Sequence, residues 1–319
     1  MEPWNSDHDL TREQLAAALA RAIESREYVG EVDFDGRPRP VWFAEGWDCD
    51  VFRVCDARGC TWLCKLPKRG GVQPHLRREA LLLDDLRRVA AGLVPRIGMR
   101  GPSGTLPYEW IALSLAPGQP VFPLLRSIDP GSFGRSYGAR LSELHRWHPE
   151  PIGPRPTSTV HSFGRLINDA RTAADSLRPH VSRDGMRRIE NMLTRAADYP
   201  EVELPATFVH GDLFPEHVYV DPETCQVIHL IDWADAKWGD PAVDFALLGW
   251  LLGDDFLRAA TEAYGGEDTD SLRLRAAQLG MLFGMCDVPV AERGAPNVPL
   301  AERVAVLQRR VAGGWLERI

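Results

Sequence analysis

The chain has 319 residues, of which 44% are hydrophobic and 26% are charged, as is typical of soluble globular proteins. Its formal net charge of −8 at pH 7 argues against nucleic-acid binding, because phosphate backbones attract basic surfaces, and it favours a cationic partner. The longest apolar stretch, residues 242–252, is too short to cross a bilayer, which requires about 20 residues, so we expect no membrane partner.

The cysteines and the start of the chain indicate a cellular compartment. None of the six cysteines forms a CxxC pair, and no His cluster stands beside them at zinc-binding spacing. No apolar leader of the secretory type is visible. We therefore expect reduced thiols in a cytoplasmic protein.

The first 115 residues predict a small, β-rich region. Thr11 and Gln14 form a capping box ahead of an apolar stripe, which predicts a helix. Short segments rich in Val, Phe and Trp, separated by Gly, Asp and Pro, predict antiparallel strands. The expected helices are residues 11–25 and 76–89, and the expected strands are residues 28–34, 41–44, 51–55, 61–66 and 109–113.

The remaining residues predict a larger and mostly helical region. Residues 116–120 contain two prolines and a glycine, and they are the best candidate for a linker between the two regions. Helical periodicity follows at residues 137–147, 162–177 and 184–199. We therefore expect an α+β protein with domains at 1–115 and 116–319, and ligands often bind in the cleft between such regions.

Several common ligand-binding motifs are absent from the sequence. No lysine is followed by Ser or Thr, which excludes a Walker A loop, and no GxGxxG follows a strand. The metalloprotease motif HExxH is also missing. The sequence therefore predicts none of these three kinds of site, and residues 208–248 are its most informative stretch.

That stretch places two aspartates at the ends of a predicted hairpin. Asp212 lies in a loop before the first strand, at 218–221, and Asp232 follows the second strand, at 226–231. Because a hairpin folds back, the two carboxylates can face one space. Phosphoryl transfer uses such a pair, since one carboxylate positions the attacking hydroxyl and another holds Mg²⁺ against the nucleotide phosphates.

Three short motifs resemble a known family. HGD at residues 210–212, IDW at 231–233 and GDPAVD at 239–244 are similar to the signature of the aminoglycoside phosphotransferase and choline kinase superfamily. The similarity extends to residues 63–69, 78–80 and 141–145. It implies a two-lobed, protein-kinase-like fold, with a small β-rich nucleotide-binding lobe and a larger helical lobe for catalysis and substrate binding.

The resemblance implies roles for individual side chains. Asp212 would be the catalytic base or the residue that positions the acceptor hydroxyl, and His210 and Asp244 would brace its loop. Lys65 would contact the α- and β-phosphates of ATP or GTP, and Glu79 would hold Lys65 in place. A lysine suits this role because its ammonium group acts as a point charge toward phosphate.

Other positions follow from the same resemblance. The backbone at Leu113 and Leu115 would hold the nucleotide base, and Asp232 would bind Mg²⁺. The turn at residues 46–48 occupies the place of the loop that covers the phosphates, with one glycine rather than several.

His217 departs from the usual pattern. The signature normally ends with Asn as a second metal ligand, whereas Mg²⁺ prefers oxygen to an imidazole nitrogen. Macrolide phosphotransferases share the arrangement Gly-Asp-Leu-x-Pro-x-His that residues 211–217 contain. Phe214 and Glu216 differ from the His and Gly expected at those places. The resemblance therefore favours a macrolide as acceptor, with His217 as a metal ligand.

The resemblance implies an O-phosphotransferase that moves the γ-phosphate of ATP or GTP to a hydroxyl of a cationic antibiotic. Macrolides are favoured, and aminoglycosides and cyclic-peptide antibiotics are alternatives. A metabolic kinase for an amino alcohol or sugar and a catalytically silent nucleotide-binding module stay open. Acidic runs at residues 254–255 and 267–270 are interpreted as solvated loops, and the aromatic and Met residues between 233 and 285 as core.

Overall fold

A computed structural model of the protein describes residues 4–90, 92–157, 159–161, 164–196, 202–266, 268–295 and 299–315. The chain forms two compact units. The first comprises Met1–Pro117, Pro149–Pro151 and Ile228–Ala234, and the second comprises Gly118–His148, Ile152–Val227 and Asp235–Ile319.

The described part of the chain contains both helices and strands. The helices are α1 (Arg12–Glu24), α2 (Gln73–Ala90), α3 (Pro130–Leu144), α4 (Gly164–Leu177), α5 (Arg183–Ala196), α6 (Val243–Leu252), α7 (Asp254–Tyr264), α8 (Thr269–Glu292) and α9 (Leu300–Ala312). The strands are β1 (Val29–Gly30), β2 (Val41–Glu45), β3 (Cys49–Cys55), β4 (Thr61–Pro67), β5 (Ile97–Gly101), β6 (Trp110–Ser114), β7 (Gln119–Pro120), β8 (Thr159–His161), β9 (Val202–Leu204), β10 (Thr207–Val209), β11 (Val218–Val220), β12 (Val227–Leu230) and β13 (Lys237–Gly239).

The first unit is built on a six-stranded antiparallel sheet in the order β1-β5-β6-β4-β3-β2. Side chains along β4 alternate between buried and half-buried, as a period of two residues requires. Buried side chains of β3 and β4, including Phe52 and Trp62, share one apolar core with the leucines of α1. Lys65 lies on β4 directly opposite Val51 and Ile111, so the sheet fixes its position from both sides.

Helix α1 begins as its sequence predicts. The side chain of Thr11 accepts a hydrogen bond from the N–H of Gln14, and the side chain of Gln14 accepts one from the N–H of Thr11. These bonds satisfy two N–H groups that would otherwise lack a partner at the start of the helix.

Helices dominate the second unit, and small residues allow two of them to pack closely. A Cβ atom at Gly138 of α3 would clash with the main-chain oxygen of Ala260 in α7. Helix α6 is buried around nearly its whole circumference. Within the described ranges, no helix combines the length and the apolar character needed to cross a membrane.

Most predicted elements are confirmed to within a few residues, with some corrections. The predicted strand at 28–34 is wrong in length, because only Val29 and Gly30 pair with β5. The linker at 116–120 includes the short strand β7, which pairs with β11. Helix α3 begins seven residues before the predicted start at 137.

The acidic runs are not loops. Asp254 and Asp255 form the first turn of α7, and the Asp268 carboxylate accepts a hydrogen bond from the N–H of Ser271 at the start of α8. Carboxylates at these places stabilise the helix because they face its positive end. Residues 162–163 and 197–199 of two predicted helices, and Glu267 of the second acidic run, lie outside the described residues.

The interpretation of the large aromatic residues as core is confirmed for several of them. Trp233 and Phe256 are fully buried, and Trp250 is 1% exposed.

Candidate active site

Lys65 binds two carboxylates within the first unit. Its Nζ donates to Glu79 Oε2 at 2.7 Å and to Asp232 Oδ1 at 2.8 Å. Burial by itself would lower the pKa of Lys65, but the negative charges of Asp232 and Glu79 outweigh it and raise that pKa well above the usual value. Lys65 is therefore a permanent positive charge at neutral pH.

Glu79 is fully buried on α2 and connects two parts of the first unit. One of its oxygens binds Lys65, and the other, Oε1, accepts a hydrogen bond from the N–H of Trp233 at 3.2 Å. Burial raises the pKa of Glu79, and the Lys65 ammonium group opposes that rise. The carboxylate thus orients Lys65 and holds the main chain next to Asp232.

Asp232 adopts an unusual backbone conformation. Its φ of 66° lies in the left-handed region, where aspartate is among the few non-glycine residues that occur. Such conformations often accompany functional sites. With all three groups ionised, the Lys65–Glu79–Asp232 cluster carries one net negative charge, which suits an additional cation.

Gly211 allows the turn that carries Asp212 in the second unit. Strand β10 pairs with β13 and leads directly into His210, Gly211 and Asp212. Gly211 has a φ of 83°, and a Cβ atom there would lie 2.8 Å from the main-chain oxygen of Asp235. Only glycine meets both conditions without strain.

Asp244, in the first turn of α6, binds the main chain of this loop. It is 2% exposed, and its two oxygens accept hydrogen bonds from the N–H groups of His210, at 2.7 Å, and Gly211, at 2.8 Å. The ring of His145 lies 3.0 Å from Asp244 Oδ2. Burial would raise the pKa of Asp244, but these donors, led by His145, lower it overall.

Two polar side chains that no sequence motif predicts, Tyr264 and Arg275, contact residues of the resemblance motifs. His145 also contacts the hydroxyl of Tyr264 at 3.1 Å, and burial raises the pKa of Tyr264 to about 12. Arg275 forms a two-point ion pair with Asp240, with distances of 2.9 and 3.2 Å. These partners are far from the motif in sequence, and no local pattern identifies them.

His210 is fully buried, and its Nδ1 accepts a hydrogen bond from the N–H of Asp212 at 3.3 Å. Asp212 is more accessible, with 28% of its side chain exposed. The structure therefore presents Asp212 to solvent and uses His210 to shape the loop beneath it.

His217 contacts the same loop. Its Nδ1 lies 2.7 Å from the main-chain oxygen of Asp212, which can only accept, so Nδ1 carries the proton. Nδ1 also lies 3.4 Å from Asp212 Oδ2. This tautomer carries its lone pair on Nε2, the form in which an imidazole coordinates a metal.

The predicted metal ligands fit Mg²⁺ unequally. Asp232 offers carboxylate oxygens, the ligand type that Mg²⁺ prefers, and its Oδ1 already binds a cationic group, the Lys65 ammonium. His217 offers nitrogen, although in a suitable tautomer.

The residues predicted to hold the nucleotide base lie in or beside β6. Leu113 pairs with Leu63 and Ile97 inside the sheet, and the N–H of Leu115 donates to the carbonyl of Thr61 at 3.2 Å. Leu115 is 44% exposed. Base recognition at these residues stays a prediction.

The predicted site residues thus form two groups. Lys65, Glu79 and Asp232 come together in the first unit, and His210, Asp212 and His217 come together in the second. Their individual roles stay predictions.

The comparison with protein families decides the class. A family model described as the phosphotransferase enzyme family matches residues 42–276, more than half of the chain. The chain belongs to this family. The expected enzyme class is therefore confirmed: the protein is a phosphotransferase of the small-molecule kinase type.

Relatives with known names agree with this membership. The chain is 26% identical over 232 residues to viomycin phosphotransferase of Streptomyces vinaceus, with 68% of this chain and 78% of the relative covered.

Solved structures share the predicted fold. A macrolide 2′-phosphotransferase of type I matches with a TM-score of 0.60 at 20% identity, covering 94% of this chain and 99% of that one. Aminoglycoside 2′-phosphotransferase-IIIa, solved as a complex with GDP, matches with a TM-score of 0.69 at 16% identity, covering 95% of this chain and all of that one. The two-lobed, kinase-like α+β fold is therefore confirmed.

Proposed function

We propose that this phosphotransferase transfers the γ-phosphate of ATP or GTP to a hydroxyl group of a cationic antibiotic. The observation that carries the proposal is the Lys65–Glu79–Asp232 cluster, because it combines a fixed positive charge with a carboxylate suited to a metal ion. Family membership supports phosphoryl transfer as the reaction. The net charge of −8 supports a cationic acceptor.

The donor nucleotide binds through the cluster in the first unit that contains Lys65 and Glu79. The Lys65 ammonium contacts the α- and β-phosphates and neutralises part of their charge, while Glu79 keeps the lysine oriented. The main chain at Leu113 and Leu115 holds the base. In this assignment residues 1–115 are the nucleotide-binding domain, and residues 116–319 carry catalysis and acceptor binding.

Asp212 acts on the acceptor. Its carboxylate accepts the proton of the acceptor hydroxyl as the oxygen forms a bond to the γ-phosphorus. The bond between that phosphorus and the β–γ bridging oxygen breaks, and the nucleoside diphosphate leaves. His210 and Asp244 hold the Asp212 loop in the required conformation and do not contact the substrate.

Asp232 and His217 would hold Mg²⁺. The bound ion would supply positive charge to the transferred phosphate oxygens.

A macrolide is the proposed acceptor class, and a cyclic-peptide antibiotic is the second candidate. The proton on His217 Nδ1 supports His217 as a metal ligand, the feature that the sequence shares with macrolide phosphotransferases. The 26% identity to viomycin phosphotransferase favours the second candidate. An aminoglycoside, a metabolic alcohol and a catalytically silent module are the remaining alternatives, and Asp212 and Lys65 argue against the silent one.

The direct test is phosphate transfer by the purified protein to macrolides, cyclic peptides and aminoglycosides, with ATP and GTP in parallel and Mg²⁺ present. Mass spectrometry should detect one added phosphate on a macrolide. Modification of a cyclic peptide alone would replace the acceptor class and keep the reaction. Nucleotide binding without transfer to any of these compounds would contradict the antibiotic assignment.

A further inference from the structure

The N-terminal residues 4–8 lie against the turn at residues 46–48. Trp4 is 8% exposed, and its ring packs edge-on against the ring of Trp47 with centroids 5.2 Å apart. An edge-to-face pair of this kind contributes more than its buried area alone. We define residues 4–8 as the N-terminal strap and residues 46–48 as the covering turn.

A buried lysine joins the strap to the covering turn. Lys68 is 2% exposed, and its Nζ donates to the carbonyl of Trp4 at 3.1 Å and to Glu45 Oε1 at 2.7 Å. Its main-chain N–H donates to the carbonyl of Asp48 at 2.8 Å. Lys68 therefore binds the strap and both sides of the turn at once.

Asp7 anchors the other end of the strap. Its N–H donates to the carbonyl of Lys68 at 3.0 Å, and its carboxylate accepts from the N–H of Gly70 at 3.1 Å and the hydroxyl of Tyr108 at 2.5 Å. These bonds lower the pKa of Asp7, with Tyr108 the largest cause.

The covering turn receives further bonds from the same side. Arg69 donates to the carbonyl of Trp47 at 3.2 Å and forms an ion pair with Asp48. The turn itself is closed by a hydrogen bond from the N–H of Gly46 to the carbonyl of Cys49. These bonds, all on one flank of the turn, restrain its conformation.

We propose that the N-terminal strap is a positioning element for the donor nucleotide, with Trp4 and Lys68 holding the covering turn in its nucleotide-binding conformation. The inference rests on the proposed function and on the expectation, from the family resemblance, that this turn covers the nucleotide phosphates. Without the strap, the turn samples other conformations, and the apparent nucleotide affinity falls by the fraction of time that it is misplaced.

The test removes the indole of the strap and compares it with a matched indole elsewhere. Trp4→Ala should raise the nucleotide KM and Kd by about three- to tenfold, as expected if the competent turn falls to about a third to a tenth of the population. The kcat and the acceptor KM should change by less than about twofold, since the role assigned to Trp4, which packs on Trp47 and accepts from Lys68, is confined to the covering turn. Asp7→Asn should shift nucleotide affinity in the same direction.

Trp315→Ala is the control. Trp315 is 4% exposed near the other end of the described chain, and its ring lies 5.4 Å from that of Trp250. It belongs to the second unit. Its loss should lower the melting temperature without changing the nucleotide KM, which separates positioning from general loss of stability.

Amide hydrogen exchange provides an independent readout. Trp4→Ala should accelerate exchange at residues 46–48 in the nucleotide-free protein. Unchanged exchange and unchanged nucleotide Kd in Trp4→Ala would overturn the role of the strap while leaving the proposed function intact. A wild-type protein that binds neither ATP nor GTP would instead overturn the proposed function.

Discussion

Lys65 and Glu79 stabilise each other in the folded protein, and this effect on stability can be measured separately from nucleotide binding. Lys65→Met leaves the fully buried Glu79 carboxylate without its ammonium partner. We expect a loss of about 3 kcal/mol in the free energy of unfolding, typical of an uncompensated buried charge, together with a large rise in nucleotide KM. Denaturant unfolding and steady-state kinetics measure the two effects.

The double variant Lys65→Met with Glu79→Gln is the control for this prediction. It removes both charges, so it should recover part of the lost stability and none of the nucleotide affinity. Equal stability of the single and double variants would contradict the assignment of the loss to the buried carboxylate.

Substitution of Asp212 should affect kcat rather than nucleotide binding, because its side chain is partly exposed and its carboxylate is assigned to the acceptor hydroxyl. Asp212→Asn should reduce kcat by about 10²- to 10⁴-fold, the usual contribution of a general base. The nucleotide Kd, measured by calorimetry, should stay within about twofold. Asp255→Asn, an exposed aspartate of α7, should leave both quantities unchanged, and full activity of Asp212→Asn would refute its role as base.

At the scale of elements, the packing of α3 against α7 depends on a missing side chain. Gly138→Ala places a methyl group against the main-chain oxygen of Ala260, so the helices must separate. We expect a loss of about 1–3 kcal/mol in the free energy of unfolding, the usual cost of overpacking. Thermal or denaturant unfolding measures it.

Gly131 provides the control in the same helix. A Cβ atom there would have no neighbour closer than 3.6 Å. Gly131→Ala should therefore be neutral or slightly stabilising, because alanine favours helix by up to about 1 kcal/mol relative to glycine. Similar losses in both variants would contradict the assignment of the Gly138→Ala loss to the contact with Ala260.

The elements also show where prediction from sequence ends. Helix α2 was predicted to within a few residues because its apolar spacing is local and repeated, and α1 because Thr11 and Gln14 cap it. The strand at 28–34 failed because pairing with β5, nearly 70 residues away, decides its length.

The candidate site likewise contains residues that the sequence predicts and residues that it does not. The motif residues Asp212, Asp232 and Lys65 carry a spacing that can be read from the chain. Tyr264 and Arg275 cannot, since they meet His145 and Asp240 only through the packing of distant segments. Similarly, nothing near Trp4 in sequence indicates that it meets Trp47.

At the scale of the whole molecule, one buried acid should shape the dependence of stability on pH. Asp287 lies 3.7 Å from the guanidinium of Arg303, and its Oδ2 has no hydrogen-bond partner among the described residues. Burial raises the pKa of Asp287 to about 6, Arg303 opposes the rise, and Glu216 adds to it.

Between the ordinary pKa of 3.8 and the folded value of about 6, the folded state holds the Asp287 proton more tightly than the unfolded state does. The contribution of Asp287 to stability is therefore full below the ordinary pKa and is lost as pH rises through about 6. The change amounts to at most about 3 kcal/mol.

Asp287→Asn tests this expectation. The difference in unfolding free energy between wild type and Asp287→Asn should shift in favour of the variant as pH rises from about 4 to about 7. Denaturant unfolding at several pH values gives that difference. A difference that is constant over this range would show that Asp287 ionises in the folded protein as it does in the unfolded chain.

The chain contains only three lysines beside 34 arginines. The three lysine amines differ greatly in how accessible they are to reagents. Lys68 is buried. The ammonium of Lys65 binds two carboxylates that raise the pKa of Lys65, so neither lysine offers a reactive free amine. Lys237 on β13 is exposed. Amine-reactive dyes and amine-coupled surfaces should therefore react at Lys237 in preference to Lys65 and Lys68. Such coupling allows site-selective labelling without mutagenesis and attaches the protein through β13, the strand that pairs with β10.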